Sequence, residues 1–134
     1  MFRKTIFLVL VLIFNSAIFL GQNLNDLLAE DSKVFIVCDN EGVIKFSNER
    51  IILWGHWKPV DDINEADIIL TLESTWTGVY KISADITTPD GKIIKRFPSK
   101  AWNNFWQRAN FNVKKGSVFG FFDEEVIPYV NSLE

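Results

Sequence analysis

Residues 79–97 read VYKISADITTPDGKIIKRF, and the reading of this stretch decides the fold class. Tyr80, Ile82, Ala84 and Ile86 alternate with Lys81, Ser83, Asp85 and Thr87. A period of two places alternate side chains on opposite faces of a strand, so the apolar set meets the core. Thr88-Pro89-Asp90-Gly91 follows as a turn: Pro89 presets its φ, Asp90 tolerates the bridge region, and Gly91 accepts a positive φ. Residues 92–97 then return as the hairpin partner, which Pro98 and Ser99 end.

Toward the N-terminus, residues 67–72 (DIILTL) predict a second strand, followed by a polar loop over 73–78 that holds Trp76. Residues 61–66 predict a turn or one helical turn, and residues 57–60 a short strand. Residues 33–38 (KVFIVC) are β-branched and aromatic, the pattern of a buried strand; Asp39, Asn40 and Gly42 punctuate its end. Residues 48–54 predict a helix with Ile51, Ile52 and Trp54 inward, Ser47 as N-cap and Gly55 as the stop. A strand is the competing reading there, because residues 43–46 and 51–54 are rich in β-formers. Residues 23–29 predict a short helix, with Leu24, Leu27 and Leu28 on one face.

Toward the C-terminus, Trp102, Phe105, Trp106 and Ala109 make a helical stripe over 101–109. Residues 110–115 break it. Residues 116–133 predict a final helix with Val118, Phe121, Phe122, Val126, Ile127 and Val130 inward. Pro128 lacks an N–H and predicts a kink or an early end. The expected fold is therefore α+β: a mostly antiparallel four-stranded sheet with helices on one face, in the order strand-helix-strand-strand-strand-helix.

Residues 1–21 precede this domain. Arg3 and Lys4 lead an unbroken apolar run from Ile6 to Phe14, and small or polar residues follow. Charge, short apolar core and small residues are the layout of a secretory signal peptide. An uncleaved membrane anchor is the alternative, since no charge falls between Lys4 and Asp26. Residues 22–134 then form a single α/β domain, exported to the periplasm or secreted. It would carry 12 basic and 17 acidic residues, a net charge of −5. Cys38 is the only cysteine, so no intrachain disulfide can form and packing alone must hold the domain.

The Ala66-Asp67 start of an apolar strand, the Thr88-Pro89-Asp90-Gly91 hairpin and the late helix resemble small α/β domains of the bacterial envelope. Examples are the N-terminal domain of the translocation protein TolB and the curli-secretion channel lipoproteins. The resemblance spans residues 33–130 and implies an envelope location and an α/β fold. The acylated cysteine of the curli lipoproteins has no counterpart here, and no functional residue carries over.

No catalytic constellation stands out, and no residue set calls for a cofactor or metal. The sharpest enzymatic reading pairs Cys38 with His56, the only histidine, as a thiol dyad. Asp39 beside Cys38 opposes it, because a neighbouring carboxylate disfavours the thiolate. Zinc needs three or four convergent ligands, which these residues would have to supply from distant positions. Asp61, Asp62, Glu65 and Asp67 lack the glycine and the spacing of a calcium loop.

The asymmetry of charge is more informative. Lys92, Lys95, Arg96, Lys100, Arg108, Lys114 and Lys115 fall between residues 92 and 115, and no acid does. Trp102 and Trp106 are interleaved with them. Cations among aromatics suit an acidic protein face, an acidic glycan or a lipid headgroup. A sequence pI near 5.2 and an exported location weigh against nucleic acid. Five tryptophans exceed what a small core hides, so at least one of Trp76, Trp102 and Trp106 is expected to be exposed. The expected function is a non-enzymatic binding or accessory domain of the envelope. The alternatives are a small thiol enzyme or hydrolase and a membrane-tethered structural domain.

Overall fold

The computed structural model describes residues 25–102 and 112–134. The signal peptide expected over 1–21 lies outside the described residues, as do Trp106, Arg108 and most of the helix expected over 101–109. In chain order the elements are β1 (Lys33–Val37), α1 (Glu41–Trp54), β2 (Lys58–Pro59), a 3-10 turn (Ile63–Glu65), β3 (Ile68–Trp76), β4 (Tyr80–Thr87), β5 (Ile93–Trp102), α2 (Val113–Phe121), a π turn (Phe122–Val126) and α3 (Ile127–Asn131).

The five strands form one mixed sheet in the order β2-β1-β3-β4-β5. The α+β class stands; the four-stranded, mostly antiparallel sheet is corrected. β1 pairs in parallel with both β2 and β3, and β3-β4-β5 form the antiparallel meander. The physical reason lies in residues 33–38. Their apolar character does not alternate, and such a run fits a strand flanked on both sides by parallel partners. The short strand near residues 57–60 is real, and it is the second parallel partner.

α1 settles the choice between helix and strand and begins seven residues earlier than the sequence predicts. Its N-cap is Asn40, whose Oδ1 accepts the Val43 N–H at 3.2 Å; Ser47 is instead a buried mid-helix residue. The local β-preference of residues 43–46 is overridden because the capped helix buries Val43 and Ile51 against the sheet. Gly55 ends α1 with φ 76°, and its N–H donates to the Ile51 carbonyl, as expected of an αL stop.

β3 runs on to Trp76, so the polar loop expected over 73–78 is mostly strand. Glu73, Ser74, Thr75 and Trp76 each find a register partner on β4, and ladder bonds outweigh the low strand preference of Glu and Ser. β5 likewise continues past Pro98 and Ser99 to Trp102, which places Ala101 and Trp102 in a strand, not in a helix. The ladder slips there: Ile82 pairs with Lys100 while Ala84 pairs with Phe97. A bulge on an edge strand is a position that accepts proline without losing a ladder bond.

Alternation sorts the two faces of the sheet. Val34, Ile36, Ile68, Leu70, Leu72, Ile82, Ala84, Ile86 and Phe97 point to the helices and join Val43, Ile51, Val118, Phe121, Phe122, Val126 and Val130 in one core. Thr71, Glu73, Ser83, Asp85 and Arg96 stand on the other face, exposed or half-buried. α2 starts at Val113, with Asn112 as its cap, and not at residue 116. Pro128 does not end the helix. The chain passes through the π turn, where the Ile127 N–H donates to the Phe122 carbonyl, and continues to Asn131. A π turn shifts the hydrogen-bond register by one residue, which is one way to carry a helix past a missing N–H.

Candidate functional site

Cys38 and His56 do not meet. Cys38 follows the last residue of β1, while the His56 carbonyl accepts the Asp31 N–H, before the first. The strand between them separates the two by roughly 20 Å at ~3.3 Å per residue. The thiol dyad is therefore corrected by the topology of one strand. His56 stacks on Trp54 with ring centroids 4.7 Å apart, and its Nε2 lies 3.1 Å from the Leu28 carbonyl. That acceptor requires the proton on Nε2. Trp57 donates to the same carbonyl at 3.0 Å, so both rings tie the N-terminal segment to the end of α1. Burial pushes the Cys38 thiol above its ordinary pKa, and the Asp39 charge adds to the rise.

The acidic residues near 61–67 have structural roles. Asp62 caps the 3-10 turn by accepting the Asn64 N–H, and Asp67 Oδ2 accepts the Lys33 N–H at 2.9 Å. Among the described residues, no three His, Cys, Asp or Glu side chains converge as metal ligands.

The described basic residues of the 92–115 window are dispersed over four places. Arg96 stands on the sheet face away from the helices and donates from Nε to its cross-strand partner Asp85 at 3.1 Å. The pair lines an open cleft of about 370 Å³ with Thr71, Glu73, Ser83 and Ser99. Lys95 and Lys100 stand on the helix-bearing face. Lys95 Nζ lies 5.1 Å from the Tyr129 ring centre, and Lys100 Nζ lies 3.5 Å from Glu125 and 3.8 Å from Glu124. Lys114 and Lys115 sit in the first turn of α2, where Lys115 reaches Glu49 of α1 at 3.0 Å. Lys92 closes the β4–β5 turn through its backbone, with its N–H on Thr88 Oγ1.

Neutralisation is therefore partial. Arg96, Lys100 and Lys115 have carboxylates in reach, while among the described residues Lys92, Lys95 and Lys114 have none. A basic run in sequence gave no means of seeing this, because Asp85, Glu49, Glu124 and Glu125 arrive from other elements.

The tryptophans divide as well. Trp76 is 54% exposed, which satisfies the expectation of at least one exposed indole. Trp102 is 6% exposed, set edge-on to Phe121 at 6.3 Å, and its Nε1 is buried with no hydrogen-bond partner among the described residues. Tyr80 was not singled out by sequence, yet it is the cross-strand partner of both Trp76 and Trp102. Only the hairpin register could reveal it.

No protein-family model matches the chain, and no curated protein matches it. Among solved structures, the chain is similar to the solution NMR structure of uncharacterised lipoprotein B from Nitrosomonas europaea. Identity is 11%, over 75% of this chain and 90% of that one, with a TM-score of 0.43. Among the described residues, no helix is long and apolar enough to cross a membrane.

Proposed function

We propose that this protein is a non-catalytic binding domain of the cell envelope, exported by its N-terminal leader, that engages an acidic partner. The observation that carries the reading is the run of seven cations without an acid between residues 92 and 115. In a domain of net negative charge, such a run gives this part of the sequence an attraction for anions, which the fold distributes over both faces of the sheet and the start of α2. Lys92, Lys95 and Lys114 support it most directly, because among the described residues no carboxylate pairs with them. Arg96, Lys100 and Lys115 would exchange an internal carboxylate for the partner's, and exposed Trp76 adds an aromatic anchor. Trp102 backs this surface from the core side, and Trp106 and Arg108 complete the proposed set. The wide separation of Cys38 and His56 favours binding over thiol chemistry.

A tethered form of the same domain would retain residues 1–21; N-terminal sequencing of protein from the envelope distinguishes the two. The kinship with TolB-type and curli-type domains belongs to this reading. The test is a pull-down from envelope extract with the tagged protein and with Lys92→Glu/Lys95→Glu/Lys114→Glu. Loss of the captured partner in the variant is expected. Full retention of every partner rejects the basic surface.

A further inference from the structure

Trp76, Tyr80 and Trp102 form one row across an end of the sheet. Trp76 is the register partner of Tyr80, and Tyr80 is the partner of Trp102. Direct partners share a face, so the three side chains lie on one face of the sheet. Trp76 and Tyr80 have centroids 4.7 Å apart and planes tilted by 47°. The inner ring is anchored: Trp102 meets Phe121 edge-on, and Lys100 Nζ lies 4.9 Å from its centre. The outer ring is open, with Trp76 more than half exposed.

What surrounds this row separates two kinds of ligand. The other exposed large apolar residues described are Val37, Ile52, Leu53, Ile63 and Ile93. Val37 partners Thr71, five residues back along β3 and on the opposite face. Ile93 partners Thr87 at the far end of β4, and Ile52 and Leu53 lie in the last turn of α1, beside His56 and the start of β1. Ile63 lies in the 3-10 turn that precedes β3, at the opposite end of that strand. Among the described residues, Trp76 therefore joins no continuous apolar patch with these residues, the form that the buried core of a protein interface takes. Its same-face neighbours one row inward are Ser74, Ile82 and Lys100, and Thr77 follows in the turn. An exposed indole backed by half-buried Tyr80 and framed by hydroxyls and an ammonium suits a ligand with a flat C–H face and a polar rim. A pyranose ring has that shape: its C–H face stacks on an indole and its hydroxyls reach the rim.

We propose that Trp76 and Tyr80 form a stacking subsite for a pyranose ring of an oligosaccharide. The inference rests on the reading of the protein as a binding domain and names the ligand class at one end of it.

The test is titration calorimetry on the full chain in a sugar-free detergent. The probes are the β-1,4-linked hexamers of glucose and of N-acetylglucosamine and the α-1,4-linked hexamer of glucose. Binding of at least one is expected, with Trp76→Ala weakening it roughly tenfold and Trp76→Phe retaining most of it. Ile52→Ser, at the opposite end, should leave affinity unchanged. Absence of heat with all three sugars overturns the proposal, as does equal affinity in Trp76→Ala. The envelope pull-down is run in parallel. A partner captured through the lysines without any sugar binding removes the stacking subsite and leaves the binding domain intact. Neither partner nor sugar removes both.

Discussion

Arg50 of α1 and Asp123 of the π turn meet at 2.6 Å across 73 residues of sequence, and the same guanidinium also donates from Nε to that oxygen at 2.8 Å. Lys115 of α2 and Glu49 of α1 make a second ion pair at 3.0 Å. These pairs close the helical layer over the core, with both members of the Arg50–Asp123 pair partly shielded from water. Asp123→Ala is expected to lower stability by about 1 kcal/mol, near the upper end for exposed pairs. Urea unfolding at low and high salt checks it: the difference between wild type and variant should shrink with salt, and a difference that salt leaves untouched would assign the loss to packing.

Ile51 and Ile52 are sequence neighbours on α1 with opposite surroundings. Ile51 is fully buried and Ile52 is 65% exposed. Ile51→Ala should cost about 2–5 kcal/mol, the range for emptying a buried branched side chain. Ile52→Ala should change stability by less than about 0.5 kcal/mol. Equal effects in thermal or urea melts would mean that the face of α1 has been misassigned.

The raised thiol pKa of Cys38 gives a pH dependence with a definite sign. The folded state holds the thiol proton more tightly than the unfolded chain does. Stability from this group is thus fully present below the ordinary thiol pKa and declines as pH rises through that value toward the folded one. Thiol-reagent labelling near neutral pH is expected to be slow, because thiolate is scarce and the side chain is half-buried. Cys38→Ser should flatten the alkaline part of the stability curve; an unchanged alkaline decline would place its origin elsewhere.

Both edges of the sheet carry residues that resist further strand pairing. β2 consists of Lys58 and Pro59 alone, and β5 carries Lys95, Arg96, Pro98, Lys100 and a bulge. Lysine, proline and bulges on an edge disfavour pairing with another chain. Pro98→Val/Ser99→Val restores a backbone donor and strand preference at the centre of β5. Light scattering should then show concentration-dependent association where wild type shows less. Identical behaviour would mean that Pro98 does not guard this edge and would leave that role to Lys95, Arg96 and Lys100.

The local sequence determined several elements outright. The alternation over residues 80–87 assigned Ile82, Ala84 and Ile86 to the core, the turn at residues 88–91 joined β4 to β5, and Gly55 stopped α1. These are decided by φ preferences and by the period of side-chain direction, which act within a few residues. Other features were decided by the tertiary structure: β1 between two parallel strands, α1 beginning at Asn40, β3 reaching Trp76, and Trp102 buried in a strand. Ladder bonds and a shared core come from segments tens of residues away and override local preference. The same holds for the candidate site: the cations were visible in sequence, but the carboxylates that neutralise three of them, and the Tyr80 that joins Trp76 to Trp102, are brought there by strand register and helix docking.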